Sequence, residues 1–153
     1  MAAPNSPRND SASAAWRSVM TLVGWGGPSP PRFPKVAMEL DLAPKQLGLI
    51  WRLEPSEALP MRALGESLFC DASYVTDLVD RLEDRRLIER RADPDDRRVK
   101  LIALTSAGER CRERALAMLY EPPIEFEALS AAELAKLSEL LTKAVSSEAE
   151  ATS

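Results

Sequence analysis

Apolar residues recur every three or four positions through most of this chain, and the period shortens towards two only between residues 87 and 104. Trp16, Val19, Met20 and Val23 keep helical spacing and end at Gly24, which predicts a short first helix. Gly26, Gly27, Pro28, Pro30, Pro31 and Pro34 cannot continue it, so the chain must turn or run extended before a second helical piece from Lys35 to Leu40. Pro44 suits the first turn of a third helix, carried by Leu47, Ile50 and Trp51 and stopped by Pro55. A fourth runs from Met61 to Leu68 with Met61, Leu64 and Leu68 on one face. Only Phe69 and Cys70 then precede Asp71, a good N-cap, after which Val75, Leu78, Val79 and Leu82 repeat at i, i+3, i+4 and i+7. Two helices joined so tightly form an αα corner.

After Arg86 the pattern becomes strand-like: Leu87-Ile88-Glu89-Arg90-Arg91, a polar tip containing Pro94, then Val99 to Leu104. That predicts a hairpin. Thr105 can cap a further helix to about Tyr120, with Ala107, Cys111, Ala115, Met118 and Leu119 along one stripe and Pro122-Pro123 ending it. Ser130-Ala131-Ala132-Glu133 is a capping box, and Leu134, Leu137, Leu140, Leu141 and Ala144 make a last amphipathic helix. Residues 1–13 are rich in Ala, Ser, Pro and Asn and predict a disordered arm, while the tail at 147–153 is expected to fray. The fold class is therefore mainly α with a two-stranded β-wing. Helix, tight turn, helix and hairpin in that order are the plan of a winged helix-turn-helix.

Composition narrows the chemistry. At 153 residues, with 45% hydrophobic and 29% charged, the chain can bury one substantial core and reads as one compact domain. A net charge of -4 argues at first against a polyanionic partner, yet its distribution is uneven. Seven basic residues between Arg85 and Lys100 face only Glu89, Asp93, Asp95 and Asp96, whereas nine acidic and five basic residues follow Thr105. A small basic projection on an acidic body suits a short-range, salt-dependent phosphate contact, and a solvated mixed-charge hairpin is the alternative.

With no histidine in the sequence, the commonest general base and metal-binding nitrogen are missing. Cys70 and Cys111 lack CxxC spacing, so no zinc framework, dithiol or cofactor is expected, and a reducing cytoplasm is the natural setting. A carboxylate-dependent hydrolase would have only generic Asp and Glu residues behind it, and we expect no enzyme. No apolar run of about 18 residues occurs, and the stretch from Ser18 to Gly26 is too short for a signal peptide, so no membrane partner is expected.

Since Val75, Leu78, Val79 and Leu82 occupy the buried face of the helix after Asp71, its outward positions are Ser73, Tyr74, Thr76 and Asp77. Hydroxyls of Ser73 and Thr76 can donate or accept at base edges, the Thr76 methyl can meet a thymine methyl, Tyr74 can stack, and Asp77 can accept from a cytosine amino group. Each is equally an ordinary surface residue on this reading, and the charge of Asp77 repels phosphate. Arg81, Arg85 and Arg86 either contact phosphates or pair with Glu83, Asp84 and Glu89.

The stretch Leu42 to Gly108 resembles the MarR family of bacterial transcriptional regulators. The likeness lies in Leu42-Ala43-Pro44-Lys45-Gln46, Met61 to Leu68, Val75 to Glu83 and Leu87 to Arg91, and most specifically in Asp93-Pro94-Asp95-Asp96-Arg97-Arg98 followed by Leu104-Thr105-Ser106-Ala107-Gly108. The resemblance implies that Arg98 enters the minor groove, held by Asp96, with Arg97 and Arg91 as further wing contacts. It implies a homodimer on an inverted repeat, with Trp16, Val19, Val23, Leu134, Leu137, Leu140 and Leu141 at the dimer interface and a small aromatic or anionic effector; packing of the four leucines within one subunit is the alternative.

On that basis residues 14–41 form an N-terminal dimerisation segment, 42–105 a DNA-binding lobe and 106–146 C-terminal dimerisation helices. Three departures from the family pattern stand out. Arg86 replaces a common glycine, Gly65 replaces an alanine, and the Gly24 to Pro34 insert shortens the first helix. Redox-sensing relatives carry a cysteine in that helix, and none occurs here. The competing function is a winged-helix protein-interaction module without DNA affinity.

Overall fold

A computed structural model describes residues 7–25 and 31–151, with side-chain surroundings from residue 10 to residue 146. It comprises two compact units, residues 1–121 and 122–153. In the first, the order is α1 (Pro7–Leu22), α2 (Arg32–Glu39), α3 (Pro44–Arg52), β1 (Ala58–Pro60), α4 (Met61–Leu68), α5 (Ala72–Asp84), β2 (Ile88–Ala92), β3 (Lys100–Leu104) and α6 (Ser106–Tyr120). The second contains a 3-10 turn, Ile124–Ala128, and α7 (Ala131–Ala151).

The helix-turn-helix core follows the apolar pattern closely. Leu47, Leu49, Ile50, Leu53, Leu64, Val75, Val79, Leu82, Ile88 and Ile102 are fully buried, so α3, α4 and α5 close on one another and on the root of the hairpin. Met118 and Leu119 of α6 and Phe33 of α2 pack against the same cluster. Trp51 ties these outer helices together, with ring centroids 6.2 Å from Phe33 and 6.1 Å from Tyr120.

The sheet has three strands, not two, in the order β1-β3-β2. β2 pairs with β3 from Ile88↔Leu104 to Ala92↔Lys100, and β1 adds antiparallel to the other edge of β3 from Ala58↔Ala103 to Pro60↔Leu101. Three residues ending in proline carry no alternation, and only the free edge of β3 makes them a strand.

The first helix is longer than its apolar spacing predicts and begins at Pro7, inside the expected arm. Proline is tolerated in a first turn, and the Ala- and Ser-containing run that follows holds no breaker. Residues 1–6 of that arm and residues 26–30 of the insert lie outside the described residues. α7 likewise runs past Ser146 to Ala151, with residues 152–153 of the expected frayed tail outside the described part. Its capping box forms as anticipated: Glu133 Oε2 accepts from the Ser130 amide at 2.9 Å, and Ser130 Oγ accepts from the Glu133 amide at 3.4 Å. The Ser130 hydroxyl and amide together hold the Glu133 carboxyl below its ordinary pKa.

Helix ends show where sequence and backbone disagree. α1 stops at Gly24, with φ 86°, through bonds from Gly24 N to Thr21 O (3.0 Å) and from Trp25 N to Met20 O (2.7 Å). α5 stops through the same pair, from Arg86 N to Glu83 O at 2.7 Å and from Leu87 N to Leu82 O at 3.0 Å. Arg86 sits at φ 57° to make them, which explains why a glycine suits this position. Arg86→Gly should therefore stabilise the protein by about 0.5–1 kcal/mol, because the relieved left-handed strain exceeds the added freedom of the unfolded chain. Denaturant titration at one protein concentration checks it. A lower midpoint would show that the arginine side chain carries a contact worth more than the strain.

Candidate nucleic-acid interface

The outward face of α5 is built from its N-cap. Asp71 Oδ1 accepts from the Tyr74 amide at 2.9 Å and from the Ser73 hydroxyl at 2.7 Å, and these two bonds, the hydroxyl first, pull the Asp71 carboxyl below its ordinary pKa. A carboxylate at the positive end of a helix dipole is stabilised in its charged form. The cap's contribution is fully present above the unfolded carboxyl pKa and fades as pH falls through the lowered one.

Ser73, Tyr74, Thr76 and Asp77 are all exposed, as the apolar register requires, while Val75, Leu78, Val79 and Leu82 face the core. Their hydrogen bonds refine what each can offer a base edge. The Ser73 hydroxyl is donated to Asp71, and the Thr76 hydroxyl is donated to the Ala72 carbonyl at 2.9 Å. Both therefore present acceptor lone pairs outward, and Thr76 also presents its methyl. Asp77 pairs with Arg81 at 3.1 Å, which offsets the repulsion that an isolated carboxylate would exert on phosphate.

Of the three arginines read either as phosphate contacts or as partners of Glu83, Asp84 and Glu89, two pair elsewhere. Arg81 pairs with Asp77, one turn back along α5, in place of Glu83, Asp84 or Glu89. Arg85 reaches 3.4 Å from the Asp41 carboxylate and also donates to the Asp41 carbonyl, so it ties the end of α5 to the loop after α2. Its direction could not be read from spacing along one helix.

Arg90 is a structural residue that the linear pattern did not single out. Ile88 and Arg90 share the inward face of β2, and the Arg90 guanidinium clasps Asp80 and Glu83 on α5. Burial works against its charge, but the Asp80 hydrogen bond and the field of Glu83 outweigh it and hold the pKa above the ordinary arginine value. The clasp fixes the angle between the wing and α5. An arginine on the inward side of a strand, opposite carboxylates at i and i+3 of the preceding helix, is the sequence signal for it.

At the wing tip, the Val99 amide donates to the Asp96 carbonyl at 2.9 Å and the Asp93 amide to the Val99 carbonyl at 3.2 Å. Asp96 Oδ1 accepts from the backbone N–H of Arg98 at 2.9 Å. Asp96 thus braces the turn through the main chain, whereas the resemblance implied a carboxylate holding the Arg98 side chain. Arg97 and Arg98 are exposed, and among the described residues neither guanidinium enters an ion pair. Arg91 differs, since it pairs with Glu89 at 2.6 Å.

Thr105 secures the root of the wing. Its hydroxyl donates to the Arg86 carbonyl at 2.6 Å and accepts from the Gly108 amide at 3.1 Å, while its own amide donates to the Leu87 carbonyl at 3.1 Å. These bonds knit the end of α5, the start of β2 and the first turn of α6 into one joint. Burial raises the pKa of the Cys111 thiol on α6, which keeps it protonated and poorly reactive.

Trp16 and Val23 on the first unit, and Leu140 and Leu141 on α7, are exposed at 62%, 45%, 53% and 43%. Val19, Leu134 and Leu137 are half-buried. No described helix is long and apolar enough to cross a membrane. No cluster of three His, Cys, Asp or Glu residues able to hold a metal occurs among the described residues.

Against known proteins, residues 42–100 match the MarR family. An uncharacterised helix-turn-helix transcriptional regulator of Bacillus subtilis, YhbI, is 36% identical over 75 residues, 49% of this chain and 49% of its own length. The match thus spans about half of that relative. The transcriptional regulator Tm0710 from Thermotoga maritima superposes with a TM-score of 0.73 at 21% identity, covering 92% of this chain and 96% of its own. CouR from Rhodococcus jostii, solved with p-coumaroyl-CoA bound, superposes with a TM-score of 0.55 at 26% identity, covering 89% and 92%.

Proposed function

We propose, from the match of residues 42–100 to the MarR family, that this chain is a homodimeric repressor that binds an inverted repeat in double-stranded DNA and releases it on binding a small effector. The observation that carries this reading is the pairing of an exposed, acceptor-rich face on α5 with two wing-tip arginines that enter no ion pair among the described residues. A helix fits the major groove, and a guanidinium suits the narrow minor groove beside it, where negative potential is concentrated. Ser73, Tyr74, Thr76, Asp77 and Arg81 read or flank base edges, and Arg91, Arg97 and Arg98 contact the backbone and minor groove, with Asp96 shaping the tip.

Residues 42–105 form the DNA-binding lobe, and residues 14–41 and 106–146 supply the dimer. The exposed apolar side chains of Trp16, Val23, Leu140 and Leu141 support that division, because such groups are stabilised by a partner surface. A dimer would set two copies of α5 about one DNA turn apart. The aromatic acyl thioester bound by CouR favours a small aromatic or anionic effector, one that alters the separation of the two lobes.

Duplexes selected from a random-sequence pool by the purified protein should contain an inverted repeat. Their affinity should fall steeply with salt, with a log–log slope of about -0.9 for each phosphate neutralised. Failure to enrich any duplex at low ionic strength would refute DNA binding and leave the protein-interaction module. Sedimentation of a monomer would remove the two-fold reading.

A further inference from the structure

Phe69 stands out in this fold because its side chain is not buried in the core. It closes α4 at φ 52°, ψ 47°, with its amide bonded to Glu66 O at 3.3 Å and the Cys70 amide to Gly65 O at 3.0 Å. This is the helix stop that α1 makes with glycine, and a phenylalanine there is strained. Its side chain is 94% exposed, so the strain is not offset by burial.

The ring stands two residues before Asp71, the cap of α5. It forms one wall of a shallow, mostly apolar groove shared with Met61, Gly65, Ala72, Val75 and Thr76, with the ion pair of Arg62 and Glu66 also on its lining. A Cβ at Gly65 would lie 3.4 Å from both the Cys70 carbonyl and Val75 Cγ2, a close van der Waals contact, so the floor of the groove is already well packed there. Ala72 and Thr76 lie one turn apart at the start of α5, and Thr76 is also one of the outward polar residues of that helix. The groove therefore adjoins the candidate base-reading face through Thr76, and Phe69 stands at its edge.

We propose that Phe69 is a further specificity residue, whose ring packs on the C5-methyl of a thymine at the edge of the major groove where α5 enters. The inference rests on the DNA-binding reading above and extends it. Of the groups exposed in a major groove only the thymine methyl is apolar, and phenylalanine is a suitable partner for it. Backbone strain clusters at functional sites, and Phe69 combines it with an exposed aromatic ring beside the cap of α5.

The test uses a duplex selected by the wild-type protein, with each thymine replaced in turn by deoxyuridine, which lacks only the methyl. Wild type should lose about fourfold in affinity at one symmetry-related pair of positions, per half-site, the loss expected for one buried methyl. Phe69→Gly should bind the unsubstituted duplex at least about fourfold more weakly and be indifferent to deoxyuridine at that position, while its thermal midpoint stays level or rises. Phe69→Asn, which tolerates the same backbone conformation, should repeat the loss of methyl sensing.

If both variants bind as tightly as wild type, or keep its deoxyuridine profile, while Arg98→Ala weakens binding, the role of Phe69 is wrong and the DNA-binding reading stands. If the wild-type protein selects no duplex at all, both fall together.

Discussion

Replacing Gly108 by alanine should destabilise the protein by about 3 kcal/mol and lower its thermal midpoint by roughly 6–12 °C. A Cβ built at Gly108 lies 1.9 Å from the Leu87 carbonyl oxygen, 3.0 Å from its carbon and 3.1 Å from Leu104 Cδ2. The obstacle is backbone, and that carbonyl already accepts the Thr105 amide. Relief requires the first turn of α6 to lift from the junction of α5 and β2, which breaks the Thr105 bonds to Arg86 and Gly108 together. Such a loss is a large share of the roughly 5–15 kcal/mol that holds a typical domain folded. Circular dichroism melts at a single protein concentration measure it. A midpoint within about 2 °C of wild type would show that the joint yields without cost.

Arg98→Ala should leave folding unchanged and weaken DNA binding by about 1–3 kcal/mol. Its guanidinium is exposed and enters no ion pair among the described residues, so the folded state loses little without it. Asp96 separates two ways in which the tip can be held. Because its carboxylate accepts from the Arg98 amide, Asp96→Asn keeps an acceptor oxygen and should retain most of the affinity, whereas Asp96→Ala should lose as much as Arg98→Ala. A carboxylate that instead steers the guanidinium by charge would make the asparagine variant as weak as the alanine one. Competition binding on one selected duplex, with melts of each variant alongside, distinguishes these outcomes. Affinity unchanged in Arg98→Ala would remove the wing from the interface.

Much of this architecture was legible because it rests on local periodicity. The spacing of Leu64, Leu68, Val75, Leu78, Val79 and Leu82 requires two short helices packed face to face, and all six are buried. The caps at Asp71, Thr105 and Ser130 were readable for the same reason, since each is satisfied within three residues of itself. The exposed face of α5 followed from that register alone. The start of α1 at Pro7 was missed because an Ala- and Ser-rich run without apolar spacing gives no helical stripe to read.

What only the tertiary structure decided are the partners that lie far along the chain. β1 exists because the edge of β3 was free to receive it, and Arg85 found Asp41 across a path that no spacing rule specifies, while Arg90 met Asp80 and Glu83 only once β2 folded back against α5. The strained stops at Phe69 and Arg86, and the closeness of Gly108 to Leu87, likewise appear only when the elements are packed. Helices, their caps and their buried faces depend on neighbours a few residues away, so the amino-acid order alone determined them. Contacts between elements depend on how those faces close, and that is set by the packing of the whole core.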